Sequence, residues 1–161
     1  MKNITLQVAT TMLLGLFAGG CIAVMFVIVP FWHSLSAGEL MLWFHNYGPT
    51  VAITMLPMQI IPFLLSLYIY FSLRKNNSSD KSLWFWINIS NILILLMLLA
   101  YFIPVNVEFV NQTMNLDKVP EELTRWGMIH AARTGLTVCS AVAAVAACAT
   151  VIRRFVVTAR Q

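Results

Sequence analysis

Four stretches of this chain contain no Asp, Glu, Lys, Arg or His: Asn3–Trp32, Asn46–Leu73, Ser82–Val107 and Thr134–Ile152. A helix needs about 20 mostly apolar residues to cross a bilayer, and each stretch reaches or nearly reaches that length. Lipid offers the backbone no hydrogen-bonding partner, so a segment that crosses it must satisfy its own amides, as a helix does. Charged residues make up only 10% of the chain and mean hydropathy is +0.81, whereas soluble domains are about a quarter charged. The expectation is an all-α, integral membrane four-helix transmembrane bundle, one domain over residues 1–161 with spans at about 4–30, 48–73, 83–104 and 131–152. The first apolar run is too long for the core of a secretion signal and Lys2 is a thin basic flank, so it reads as a retained first helix.

Basic residues favour cytoplasmic loops. With both termini on one side, that side holds Lys2, Arg74, Lys75, Lys81, Arg153, Arg154 and Arg160, and the other holds only Lys118, Arg125 and Arg133. This predicts cytoplasmic N- and C-termini in a bacterial inner membrane, with the opposite end facing outward. The net charge of +4 then reflects topology, and no nucleic-acid partner is expected. Cys21, Cys139 and Cys148 all fall inside predicted spans without a CxxC pair, and read as small packing residues.

Small residues recur four apart in the first helix (Gly15, Gly19) and the fourth (Ser140/Ala144, Ala143/Ala147). Such faces let helices approach closely, within one chain, in a homo-oligomer or against a membrane-complex partner. The second helix holds Pro49, Pro57 and Pro62. The last two should kink it, with Thr54 or Gln59 available to the freed carbonyls, and a kinked helix opens room for a cavity. Asn88 and Asn91 share a face of the third helix and are placed to bond across to a neighbour. Before the fourth, "LDKVPEEL" suggests a helix start with Asp117 as cap and Pro120 in the first turn.

Chemistry-bearing residues gather on the outward side: all three histidines and Glu39, Glu108, Asp117, Glu121 and Glu122. His130 and Arg133 lie three apart on one helix face, continued by Thr134 and Thr137. The third span ends at the same surface with Pro104, Asn106 and Glu108, so an antiparallel neighbour should bring Asn106 or Glu108 near His130 and Arg133. A mid-membrane Arg costs about 2.5–3.5 kcal/mol, which an amide or carboxylate oxygen would offset.

Pro104 and Asn106 in "PVN", followed by Trp126, His130 and Arg133 in "RWGMIHAART", resemble the pattern of the anthrone-oxygenase-like family of small four-helix membrane proteins. The Gly-rich first helix followed by Pro30 is similar too. The resemblance implies oxidation of a hydrophobic aromatic or phenolic molecule, anthrone- or quinol-like, by molecular oxygen without a cofactor. It makes His130 the base, Arg133 the oxyanion stabiliser and Asn106 an orienting group. Trp126, Glu108, His45 and Pro104 would line the substrate site.

Two other functions remain in view. His33, His45 and His130 with Glu39 and Glu108 form a donor set suited to a transition metal, or to haem between two histidines, if folding gathers them. Alternatively, the chain is a non-catalytic accessory subunit or small-molecule binder, held through the small-residue faces of the first and fourth helices. An enzyme should show a polar-ended cavity reaching His130 and Arg133; a subunit should show those groups satisfied by each other. No ionisable residue sits mid-span, which argues against a transporter, and nucleotide-binding and nucleophile-elbow motifs are absent.

Overall fold

A computed structural model describes residues 2–78 and 80–158, with side chains over 4–78 and 80–153. All regular structure among them is helical, arranged as four rods. The first comprises α1 (Lys2–Ala23), a π-helical turn (Val24–Ile28) and α2 (Val29–His33); the second is α3 (Ala37–Lys75). The third comprises α4 (Lys81–Met97), a second π turn (Leu98–Phe102) and α5 (Ile103–Val110). A 3-10 turn (Leu116–Lys118) leads into α6 (Val119–Thr158), the fourth rod. All four rods are long and apolar enough to cross a membrane. At 1.5 Å per residue, the 39 residues of α3 and 40 of α6 give rods of about 60 Å, twice the roughly 30 Å of a bilayer's hydrocarbon.

Two apolar clusters fix the rods as antiparallel neighbours. Near the chain termini, Leu14 meets Ile69 and Leu73, Trp84 and Ile87, and Ala144 and Ala147. At the distal end, Val29 and Trp32 meet Leu40 and Phe44, Phe102 and Phe109, and Leu123 and Trp126. The small-residue faces divide. Ser140, Ala144 and Ala147 are buried in the bundle, where α6 packs on α1 and α4. Gly15 and Gly19 face outward, with open space where a Cβ would stand.

The three prolines of α3 leave it helical from Ala37 to Lys75. Irregular turns appear instead in the first and third rods, each just ahead of a proline. Pro30 and Pro104 are the second residues of α2 and α5. A proline has no N–H for the carbonyl four residues back, and its ring crowds that carbonyl. Those carbonyls belong to Phe26 and Ala100, inside the two π turns, where the wider helix makes room.

Local signals place the remaining joints. Ser36 and Glu39 form a reciprocal capping box at the start of α3. At the last joint the capping side chain is Asn115, whose Oδ1 accepts from the Asp117 amide at 3.0 Å, in place of the expected Asp117. Asn88 does bond across, donating to the Ser66 carbonyl at 3.2 Å while Ser66 Oγ donates to Asn88 Oδ1 at 2.8 Å. Asn91 turns back on its own helix, donating to the Ile87 carbonyl at 2.9 Å. Asn88→Leu should therefore destabilise the bundle by about 1 kcal/mol, and Asn91→Leu by less than about 0.5 kcal/mol. Unfolding in mixed detergent micelles measures both, and equal losses would contradict this division of roles.

Candidate functional site

The distal half of the bundle encloses a cavity of about 500 Å³ between the second, third and fourth rods, with the first π turn behind it. That volume falls within the range of small-molecule sites, roughly 300–1,000 Å³. Its walls are mainly apolar and aromatic, and the polar groups on it are few: Gln59, Asn106, Asn111, His130 and Arg133.

His130 is 3% exposed and held on two sides. Its Nε2 lies 3.0 Å from the Cys21 carbonyl oxygen. A carbonyl only accepts, so Nε2 carries the hydrogen, and Nδ1 of the neutral ring is left with a lone pair. Nδ1 is buried and has no partner among the described residues. On its face the imidazole stacks against Trp126, with ring centroids 4.8 Å apart and planes 19° from parallel. The indole is pinned in turn by donating from Nε1 to Asn106 Oδ1 at 3.0 Å. Asn106 thus reaches the imidazole through Trp126.

Arg133 is 8% exposed, one helical turn from His130. Its guanidinium lies against Phe17 (5.4 Å to the ring centroid) and Phe102 (4.9 Å). Aromatic faces attract a cation, by about 2 kcal/mol when water is excluded. Its Nη2 donates to Gln59 Oε1 at 2.8 Å. The ion pairs found among the described residues belong to Arg125, with Glu121 and Glu122, so Arg133 has a neutral amide and two rings in place of a carboxylate. Its Nε and the Gln59 Nε2 are buried donors left without partners. Thr134 and Thr137 hydroxyls donate to the carbonyls of His130 and Arg133 at 2.8 and 2.7 Å, which removes two polar groups from contention.

The structure therefore brings His130, Arg133, Asn106 and Trp126 to one cavity and leaves other expected residues outside it. Pro104 and Glu108 are exposed on α5 and do not line the cavity. Each is two residues from Asn106, about 200° around a helix of 3.6 residues per turn, and so faces away. His45 is exposed, with Nδ1 2.9 Å from the Val110 carbonyl oxygen, and ties α3 to α5 outside the cavity. His33 is also exposed, and Glu39 is engaged in the capping box. Among the described residues no three His, Cys, Asp or Glu side chains come close enough to hold a metal ion. The donor set His33, His45, His130 and Glu108 is not assembled.

Sequence reasoning missed Gln59 as a site residue and the Cys21 carbonyl as the acceptor that sets the imidazole tautomer. Gln59 had a usable signal: it is the one Gln in its uncharged stretch, and a strongly polar side chain in such a stretch needs a reason. The carbonyl had none, since any backbone offers one.

No protein-family model, no curated protein and no solved structure matches the chain.

Gln59→Leu would strip Arg133 of its amide acceptor and leave a buried cation facing rings alone. We expect a loss of about 2 kcal/mol, because an unsatisfied buried charge costs more than a neutral group. The double variant Gln59→Leu/Arg133→Met should recover most of it. A double-mutant cycle in detergent unfolding checks this, and additive losses would show that the two side chains are not coupled.

Proposed function

We propose that this chain is a membrane-embedded oxygenase acting on a hydrophobic phenolic molecule of anthrone or quinol type. The observation that carries this reading is an apolar cavity with the buried His130 imidazole and Arg133 guanidinium side by side in its wall. The flat aromatic lining suits a flat aromatic guest. The residue pattern shared with the anthrone-oxygenase-like family, from Pro104 through Arg133, supports the same reading. The charge bias supports cytoplasmic termini in a bacterial inner membrane, with the cavity near the outer surface.

The chemistry follows from the groups present. His130 takes a proton from the substrate, leaving an electron-rich enolate whose oxygen is stabilised by the Arg133 guanidinium and the Gln59 amide. The enolate carbon transfers electrons to molecular oxygen and forms a carbon–oxygen bond. The resulting peroxide takes back the proton from His130. Loss of water, with the second hydrogen of the carbon, leaves a carbonyl, so one CH2 and one O2 give one C=O and one H2O. Asn106 and Trp126 hold the base in place. No cofactor enters this scheme. The outward Gly15/Gly19 face supports contact with a second copy or a membrane partner.

Oxygen uptake by the purified protein with anthrone-type phenols is the test, with quinone product followed by absorbance. His130→Ala should lower turnover by about 100-fold or more and Arg133→Gln by about 100-fold. Asn106→Leu, which frees the Trp126 indole stacked on the imidazole, should cost about 10-fold. Full activity in a folded His130→Ala protein would eliminate the mechanism.

A further inference from the structure

The cavity has two unlike ends. Its innermost polar groups, Gln59, His130 and Arg133, are each more than nine-tenths buried. Between the second and third rods its rim includes Val51 and Leu56 on α3 and Ile103 and Val107 on the third rod, between 37% and 51% exposed, and exposed Asn111 stands farther along, just past the end of α5. Along this side the four residues are apolar and all belong to the uncharged stretches. Packing explains the gap. The second rod packs against α4 on one side of the opening and α5 on the other, and makes no comparable contact with the π turn Leu98–Phe102 between them. A mouth facing water would present polar lips; this one matches hydrocarbon.

The inner end carries an unbalanced demand. Arg133 Nε and Gln59 Nε2 are unpartnered donors, His130 Nδ1 is an unpartnered acceptor, and the guanidinium has no carboxylate partner among the described residues. Buried donors and a buried cation call for an oxygen acceptor, and an ionised one balances the charge as well.

We propose that the cavity loads sideways from the bilayer, between the second and third rods, and that its ligand is a membrane-dissolved hydrophobic acid bound as its anion. The ionised oxygen accepts from the Arg133 guanidinium beside the Gln59 amide, while the apolar body lies along Trp126, Phe102 and the rim. The shared chemistry is an acidic O–H on an apolar body, whether carboxylic acid, enol or phenol. This deepens the reading of the cavity as a phenol site, since a phenol is such an acid, but requires only binding.

The test reconstitutes the full chain in phosphatidylcholine vesicles and follows tryptophan fluorescence, because Trp32, Trp43 and Trp126 line the cavity. The probes are dibromo-octadecanoic acid and its uncharged methyl ester, both added to the lipid phase. We expect saturable quenching by the acid, half-complete at a concentration at least ten-fold below that of the ester. Gln59→Leu and Arg133→Gln should each weaken the acid's binding about ten-fold without changing the ester's. Val51→Phe/Val107→Phe, at exposed rim positions, should slow the acid's quenching at least ten-fold in stopped flow. Equal quenching by acid and ester in the unmodified protein overturns the anion site, whether or not the variants fold. Unslowed loading in the folded rim variant overturns the sideways route. A substituted phenol replacing the brominated acid in competition identifies the phenolic source, and failure to compete assigns the site to carboxylic acids. Acid binding without oxygen uptake removes the oxygenase and leaves this proposal standing; oxygen uptake without acid preference does the reverse.

Discussion

A guanidinium inside an apolar bundle has to be accommodated on every side, and much of the distal half of this structure answers that need. Arg133 cannot easily shed its charge, because a guanidinium keeps its proton under almost all conditions. Phe17 comes to it from the first rod, Gln59 from the second and Phe102 from the third. Each rod thus contributes one contact to a single cation on the fourth. What those contacts leave over, a full positive charge in its wall, is what distinguishes the cavity from an ordinary packing defect.

The space for that cavity comes from the backbone. Two π turns, each placed just ahead of a proline, lie in the first and third rods, and both contribute cavity lining through Val24, Ile28, Leu98 and Phe102. A wider turn shifts the register of the side chains that follow it, so Trp32 and Asn106 are presented at angles that an uninterrupted α-helix would not give. Aromatic contacts then propagate the arrangement: Trp32 meets Trp43, Phe44 and Trp126, and Trp126 meets Phe102 and His130. The imidazole orientation is the end point of that network and of the Cys21 carbonyl.

The number and order of the rods were legible because charge is so costly in hydrocarbon that uncharged stretches delimit them. His130, Arg133 and Asn106 are legible as neighbours through helix periodicity and the antiparallel return of the third rod, and Trp126 through the family resemblance. Pro104 and Glu108 flank Asn106 in the sequence, but the helix turns both outward. Gln59 was noticed only as a partner for proline-freed carbonyls, since which face of α3 meets the fourth rod is decided by packing. The prolines misdirected in a similar way. Three in one helix suggested that the irregularity would be there, whereas the π turns precede the single prolines of the first and third rods. The Gly15/Gly19 spacing indicates a close-approach face without saying which partner it serves, and among the described residues nothing lies within 4 Å of where a Cβ would stand.

One feature of α6 separates two properties that many sites entangle. Trp126, His130 and Arg133 ride on a single uninterrupted helix, within two turns of each other, whereas the rim residues Val51, Leu56, Ile103 and Val107 sit on two other rods. The imidazole and guanidinium and the apolar rim are therefore carried on different pieces of backbone. Substitutions along the second and third rods can reshape what the site admits while the spacing of imidazole and guanidinium stays fixed by helix geometry. A scaffold divided in this way lends itself to diversification, because the shape of the opening can drift without the buried polar pair being rebuilt.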